Sequence, residues 1–402
     1  MPRPPRRALL ASLLVIGPAG CEAGGPGLAG APPLEARREL RIGSVDDPAT
    51  LLTRVGRMAV DDGGWIYTSH PQESVVLVHD ARGARVATIG GAGEGPGEFR
   101  AVDGIGLVGD TLWALDRRLY RITYFSPAGE LQRSVRVPID LGTDPVHSPP
   151  RPTGLLADGR LVGTPAAWSH AVASGDLAET PLLLMDTAGV AGDTLCVVPH
   201  TIWAIQDPSG AMRFGTYRAQ PFADQPLVAL DPAGPACVVL DREVAPAGEP
   251  AVFRVSRVRS GGDTVFSRAF AYDAVPIDPA VPDSLVADWA ERFRERPLGG
   301  LTVAEAAALA RADLHVPAHH PPVGAVVVGR DGAIWLRGPQ PDPGRAAWLV
   351  LDRDGGVIGR VELPGRLQVE VAERGRVWGV EQDELDVPWI VRYAVGGGDA
   401  DP

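Results

Sequence analysis

Two residue types are missing altogether from this chain of 402 residues: it has no lysine and no asparagine, so all 38 basic residues are arginine. Without lysine there is no Schiff-base nucleophile and no phosphate-gripping P-loop. Without asparagine there is no N-glycosylation acceptor. Cysteine is scarce at three, and aromatics are 6%. No apolar run reaches the ~20 residues of a spanning helix; the run near the N-terminus, Ala8 to Ile16, is nine residues long. A basic face is lacking too. The formal charge is −12, spread rather than blocked, which argues against nucleic acid and anionic lipid surfaces as partners. A Gly-x-Ser-x-Gly nucleophile elbow is also absent.

What the chain has instead is glycine (49) and proline (39), with 45% apolar residues. That combination fits many turns between short buried strands. The densest connector is Ile89–Arg100, with five glycines and a proline from Gly90 to Gly97. Neither helix nor strand interior suits it. A dinucleotide fingerprint fails there, because the third glycine falls on Pro96, Glu98 or Arg100 and a strand-like stretch follows instead of a helix. The stretch therefore reads as a tight crossing between two similar units.

A turn followed by an apolar strand recurs six times: at Gly63–Tyr67, Gly109–Trp113, Asp158–Val162, Gly234–Val239, Asp331–Trp335 and Arg374–Trp378. Second turns follow five of them, at Asp80–Gly83, Ser126–Gly129, Asp186–Gly189, Ser260–Asp263 and Asp352–Gly355. Two hairpin turns per unit make four antiparallel strands, one propeller blade. The spacing fits the ~40–50 residues of such blades, and two wide gaps, Gly159 to Gly234 and Gly234 to Gly332, must hold insertions. Gly93–Phe99, the Gly109-Asp110-Thr111 turn and Leu112–Asp116 resemble the repeat of bacterial six-bladed β-propeller proteins related to NHL repeats. The clearest match covers Val55 to Val137, with weaker echoes to Val395. The resemblance implies an all-β, six-bladed propeller of four-stranded antiparallel blades.

The sixth unit offers only three strands, so Glu39–Gly43 is expected to pair with it and close the ring, removing an exposed edge. In the second gap, Pro282-Asp283-Ser284 starts a helix with Leu285, Trp289 and Phe293 at i, i+4 and i+8. Gly299 and Gly300 end it, and Thr302 with Glu305 forms a capping box for a second helix. This helical insertion, about 282–313 between blades 4 and 5, either caps a channel mouth or shields a bare edge.

The expected layout is a signal peptide over 1–20, a flexible tether over 21–37, the propeller over 38–395 and a disordered tail over 396–402. Arg3, Arg6 and Arg7 precede the apolar run, and Pro18-Ala19-Gly20-Cys21 resembles a lipobox, making Cys21 the lipidation site; Pro18 stands where the pattern usually has Leu, so plain cleavage stays open. Cys196 and Cys237 either form a disulfide or remain buried thiols.

No catalytic, cofactor or metal constellation is evident. His319-His320 lies in a proline-flanked loop, and Pro317 interrupts the i, i+4 pair His315/His319. His70, His79, His147, His170 and His200 are scattered. Zinc lyases of the NHL class use channel histidines, and six-bladed calcium lactonases typically use Asn, which this chain lacks. Asp61-Asp62 and Glu381–Glu384 read as solvated turns, and Trp65, Trp113, Trp335 and Trp378 as one shared core position. The expected function is an exported, lipid-anchored propeller that binds a protein or small-molecule ligand in the cell envelope, periplasmic or at the outer membrane. It would use no cofactor and touch the membrane only through its anchor. The alternatives are a metal-dependent hydrolase or lyase with its site in the central channel, and a structural subunit of an envelope complex.

Overall fold

The structure, a computed structural model, describes residues 27–47, 50–137, 151–164, 179–186, 190–199, 202–205, 216–223, 225–242, 251–295, 302–340 and 342–397. The signal peptide, Cys21, the first part of the tether, His147, His170, His200 and the tail from 398 lie outside them, as does the side chain of Phe293.

Among the described residues, the hairpin turns found in the sequence join antiparallel strands; residues 187–189 of the Asp186–Gly189 turn lie outside them. Strands β2–β5 (Met58–Val60, Ile66–His70, Val75–His79, Arg85–Gly90) form one four-stranded sheet in chain order, and β6–β9 (Gly104–Val108, Thr111–Asp116, Arg121–Phe125, Leu131–Arg136) a second. The third sheet is β10–β13 (Arg151–Leu155, Leu161–Thr164, Glu179–Met185, Ala191–Pro199). After a two-stranded hairpin, β14–β15 (Ile202–Ile205, Thr216–Ala219), comes β16–β19 (Leu227–Leu230, Ala236–Asp241, Val252–Arg259, Thr264–Ala271). Helices α1 (Ala280–Glu295) and α2 (Val303–Asp313) precede β20–β23 (Ala325–Val328, Ile334–Arg337, Arg345–Leu351, Val357–Pro364) and β24–β26 (Leu367–Glu373, Arg376–Gln382, Pro388–Gly396). The two wide gaps thus hold the β14–β15 hairpin and the helix pair.

The first strand of each sheet is the innermost. Strand β2 touches β6 and β24, β6 touches β10, and β20 touches β16 and β24, while β13 against β16 and β17 joins the third and fourth sheets. The result is an all-β propeller ring. Neighbouring sheets cover both faces of the inner strands, so β3 and β8 are buried at every residue, whereas outermost β9 is almost wholly exposed. With both faces covered, these strands lack a clean buried–exposed alternation and enclose polar residues as well, among them Thr68, Ser69 and Thr123.

The expected closing strand is present. Strand β1 (Pro33–Ile42) pairs antiparallel with β26, from Glu35 opposite Gly396 to Ile42 opposite Ile390. It also starts five residues before the expected boundary at 38: Pro33 and Leu34 pair in parallel with Arg360 and Val361 of β23. Residues 33–37, assigned to the tether, are therefore strand. Their apolar members Leu34 and Ala36 pack on the core that the last two hairpin stacks share, a contact that local composition does not show. Through β1 these stacks become one eight-stranded sheet.

Two glycines show how tightly the units abut. Gly83, at φ 87°, turns where a Cβ would lie 2.8 Å from Leu40 of the closing strand. Gly90, at φ 91°, would put one 2.5 Å from the ring of fully buried Phe99. The Ile89–Arg100 crossing folds back on itself over buried Arg121, whose guanidinium donates to the carbonyls of Glu94 (2.9 Å), Gly95 (3.0 Å) and Glu98. Carbonyl groups that a turn leaves without strand partners are satisfied by one cation.

One core assignment fails. Trp113, Trp335 and Trp378 are 6%, 0% and 4% exposed, but Trp65 is 37% exposed and precedes β3. Tyr67 takes the buried place in that sheet (1% exposed), its hydroxyl donating to Asp61 Oδ2 at 3.2 Å. The turn glycine keeps its phase: Tyr67 stands three residues after Gly64, as Trp335 does after Gly332 and Trp378 after Gly375, whereas Trp65 stands where the fifth sheet has Ala333. Asp61 also accepts from Trp65 N, and Asp383 from Leu385 N, Val387 N and Trp389 Nε1. These acidic residues build turns.

In the insertion, α1 begins at Ala280, two residues before Pro282, with Asp278 Oδ1 accepting from Ala280 N at 2.8 Å. Proline is tolerated in a first turn, whose amides have no intrahelical partner. The capping box at Thr302 and Glu305 forms as expected. Val286 and Trp289 pack on Ala306 and Ala310, and Arg311 pairs with Asp283.

A buried histidine gives the fold a pH dependence. His79 on β4 is pushed down to about 4 by burial, then by neighbouring His70 and Arg85, against a smaller opposing effect of Asp80. Its unfolded value is about 6.5, so between those values the unfolded chain binds the extra proton. The contribution is fully present above pH ~6.5 and is lost as pH falls toward 4, up to roughly 3 kcal/mol. Urea midpoints at pH 7 and 4.5, for wild type and His79→Gln, should show a shallower decline in the variant. Equal slopes would refute the assignment.

Candidate functional site

Antiparallel order puts the start of each innermost strand, the loop between second and third strands and every inter-sheet connector on one face of the ring. Both insertions leave and re-enter on that face, since they join the outer strands β13 and β19 to the inner strands β16 and β20. Helix α2 also packs against β14.

On this face a cavity of about 960 Å³ lies where the first, second and last sheets meet, its lining drawn from Thr53–Arg57, Ser69, Pro71, Arg100–Asp103, Arg118, Arg366, Glu370 and Asp386 among others. Its walls are mostly polar. Arg57 and Arg366 each stand one residue before an innermost strand, β2 and β24. That placement sends side chains from neighbouring sheets toward one space. Arg57 lies 3.6 Å from Glu370, whose side chain is 6% exposed; burial pushes this carboxyl up, against the opposing pull of Arg57 and Gln368. Arg57 N donates to Ser69 Oγ at 2.8 Å, and Arg366 Nη1 to Asp383 O at 2.7 Å. Arg100 is anchored through its backbone N to buried Asp116 (2.7 Å), while its guanidinium meets Glu94. Asp103 Oδ2 accepts from Arg117 N at 2.8 Å. Arg54 and Arg118 have no side-chain partner among the described residues. A chain of charge −12 therefore gathers five arginines (54, 57, 100, 118 and 366) against three carboxylates (Asp103, Glu370 and Asp386) at one cavity. Low-dielectric walls focus such a field on an incoming anion.

Among the described residues no histidine lines this cavity. His70 and His79 lie inside the first sheet, with His70 Nε2 3.1 Å from Thr68 Oγ1. His319 bridges to Pro276, His315 N donates to Gln220 Oε1 at 3.0 Å, and the His320 ring meets Phe222 edge-on at 5.8 Å. Among the described residues no group of three or more His, Cys, Asp or Glu could hold a metal, and no helix is long and apolar enough to cross a membrane. Cys21 lies outside those residues. Cys196 and Cys237, left open from the sequence, form a disulfide between β13 and β17.

The arginines escaped the sequence reading because they come from three separate units with no common spacing. Only the repeat phase of Arg57 and Arg366 carried a signal.

No family model matches the chain, and no curated protein does. Among solved structures it is similar to a Bacteroides fragilis protein described as a candidate for export (11% identity, 90% of this chain and 94% of that one, TM-score 0.47). The PQQ-bound aldose sugar dehydrogenase of Streptomyces coelicolor is another (15%, 90% and 98%, 0.42), as is virginiamycin B lyase of Staphylococcus aureus (11%, 90% and 99%, 0.41). At these identities and scores none of them transfers a function.

Proposed function

We propose that this chain is an exported, six-bladed β-propeller, lipid-anchored through Cys21, that binds an anionic ligand in the 960 Å³ cavity. The count of six takes β1 as the fourth strand of the β24–β26 stack. Export is supported by the leader-like segment with Arg3, Arg6 and Arg7, and by a disulfide that an oxidising compartment would keep. The observation that carries the ligand class is the pair Arg54 and Arg118, cations lining the cavity without carboxylate partners among the described residues. A multivalent anion would satisfy them and reach the neighbouring arginines. Citrate titrated calorimetrically into the protein should bind, and Arg54→Ala/Arg118→Ala should weaken it at least about tenfold, the ~1.4 kcal/mol equivalent of losing charge-assisted hydrogen bonds. Binding that the double variant leaves unchanged would refute the reading.

A further inference from the structure

A second cavity opens on the same face, between the fourth sheet and β20–β23, with a volume of about 460 Å³. Its lining differs in kind from the first. Leu227, Ala223, Pro221, Pro321 and Pro339 give it apolar, conformationally stiff walls. The charged groups in its described lining are two arginines, Arg242 and Arg337, and no carboxylate stands among those residues. His320 also lines it, and burial holds that ring below the usual histidine range.

The two arginines are held differently. Arg242 is buried and committed: Nε donates to Gln225 O at 2.8 Å and Nη1 to Val323 O at 2.7 Å. Those bonds tie the start of the fourth sheet to the segment entering β20. Arg337 ends β21, half-buried, and its guanidinium has no acceptor among the described residues. It lies over Gly324, where an added Cβ would sit 3.5 Å from Nη2, and Gly324 N donates to Arg337 O at 2.8 Å. Desolvation pushes the Arg337 guanidinium down from its ordinary value. A partly desolvated cation with no partner is a cost that the fold carries, and a ligand carboxylate or phosphate would relieve it.

We infer that this cavity is a second binding site, for a small organic acid with one carboxylate or phosphate group held by Arg337 and an apolar body lying among Leu227 and the prolines. The guanidinium fork matches either head group in two parallel N–H···O bonds. The segment between α2 and β20 supplies His320 and Pro321 to the wall, and Gln220 clamps its start by donating to Asp313 O at 2.6 Å while accepting from His315 N at 3.0 Å. This gives the helix pair a role: it fixes one wall of a pocket on the connector face.

The test is calorimetric titration of the full mature protein with benzoate and phenyl phosphate, and with benzamide as a neutral analogue of the same shape. Benzoate or phenyl phosphate should bind and benzamide should bind at least tenfold more weakly; the stronger of the two acids identifies the head group. Arg337→Gln should weaken the acid at least tenfold, while Arg54→Ala/Arg118→Ala leaves it unchanged. The wild-type comparison stands even if Arg337→Gln does not fold. Benzamide binding as tightly as benzoate, an unaffected Arg337→Gln, or no binding of either acid would each overturn the inference. Loss in the Arg54/Arg118 variant in place of Arg337→Gln would assign the acid to the larger cavity.

Discussion

Removal of Pro33–Ile42 is expected to abolish cooperative folding. The segment is far from the rest of the last sheet in sequence, yet it supplies that sheet's fourth strand along nearly all of β26. Ile42 is buried, and Leu34 and Leu40 are partly buried against two different core clusters. At about 1.5–3 kcal/mol for a fully buried aliphatic side chain, the three together contribute on the order of 5 kcal/mol. Glu39 adds ion pairs to Arg392 (3.1 Å) and Arg376 (3.7 Å). The sum is comparable to the entire ~5–15 kcal/mol stability of a folded domain. Deletion also leaves β26 as a bare edge, which invites pairing between chains. Size-exclusion chromatography and thermal circular dichroism should show aggregation and a broad or absent transition. A synthetic peptide of residues 33–43, added during refolding, should restore a monomeric species by strand addition. A monomeric deletion variant with an unchanged Tm would show that the ring closes without β1.

The second large effect belongs to the disulfide. Cys196 and Cys237 are 41 residues apart, and the chain between them contains the β14–β15 hairpin and the approach to the fourth sheet. In the chain-entropy picture, a loop of that length constrains the unfolded state by about 4 kcal/mol. The bond also fastens the joint that β13 makes with the next sheet, where Cys237 sits fully buried beside Leu156, Val162, Leu184 and Leu195. Cys196→Ala/Cys237→Ala should lower the denaturant midpoint of the ring, and a reductant should do the same to wild type while leaving the variant unmoved. Equal midpoints with and without reductant would rule the bond out as a stabilising link. Alanine is the better probe than serine, because a buried hydroxyl would add its own desolvation cost at position 237.

Much of this architecture is local and therefore legible in the chain. A hairpin turn needs particular residues at particular places, so Asp80-Ala81-Arg82-Gly83 and Asp352–Gly355 announced their turns, with Asp80 Oδ1 accepting from Arg82 N and Ala84 N and Asp352 Oδ1 from Asp354 N and Gly356 N. The capping box at Thr302 and Glu305 was equally visible, because its bonds join residues three apart. Even the closing strand could be anticipated, by counting three strands where four were due. Trp65 shows the limit of matching by residue type: it stands one residue after Gly64, and the buried aromatic of that sheet is Tyr67, three residues after the same glycine.

Tertiary structure alone decided the rest, because its determinants are distances between residues remote in sequence. Spacing could not say whether Cys196 and Cys237 met; that depended on β13 reaching across to β17. Composition placed residues 33–37 in a tether, and only the core shared by two sheets made them strand. The candidate sites are the extreme case. Arg54, Arg118 and Arg366 belong to three different units, and Arg337 is separated from Leu227 by the whole helical insertion. Turn chemistry and burial periodicity by themselves determined a repeating all-β chain, since those forces act within a few residues. Which arginines face one cavity, and which of them lack a partner, was fixed only when the ring closed and brought its connectors to a single face.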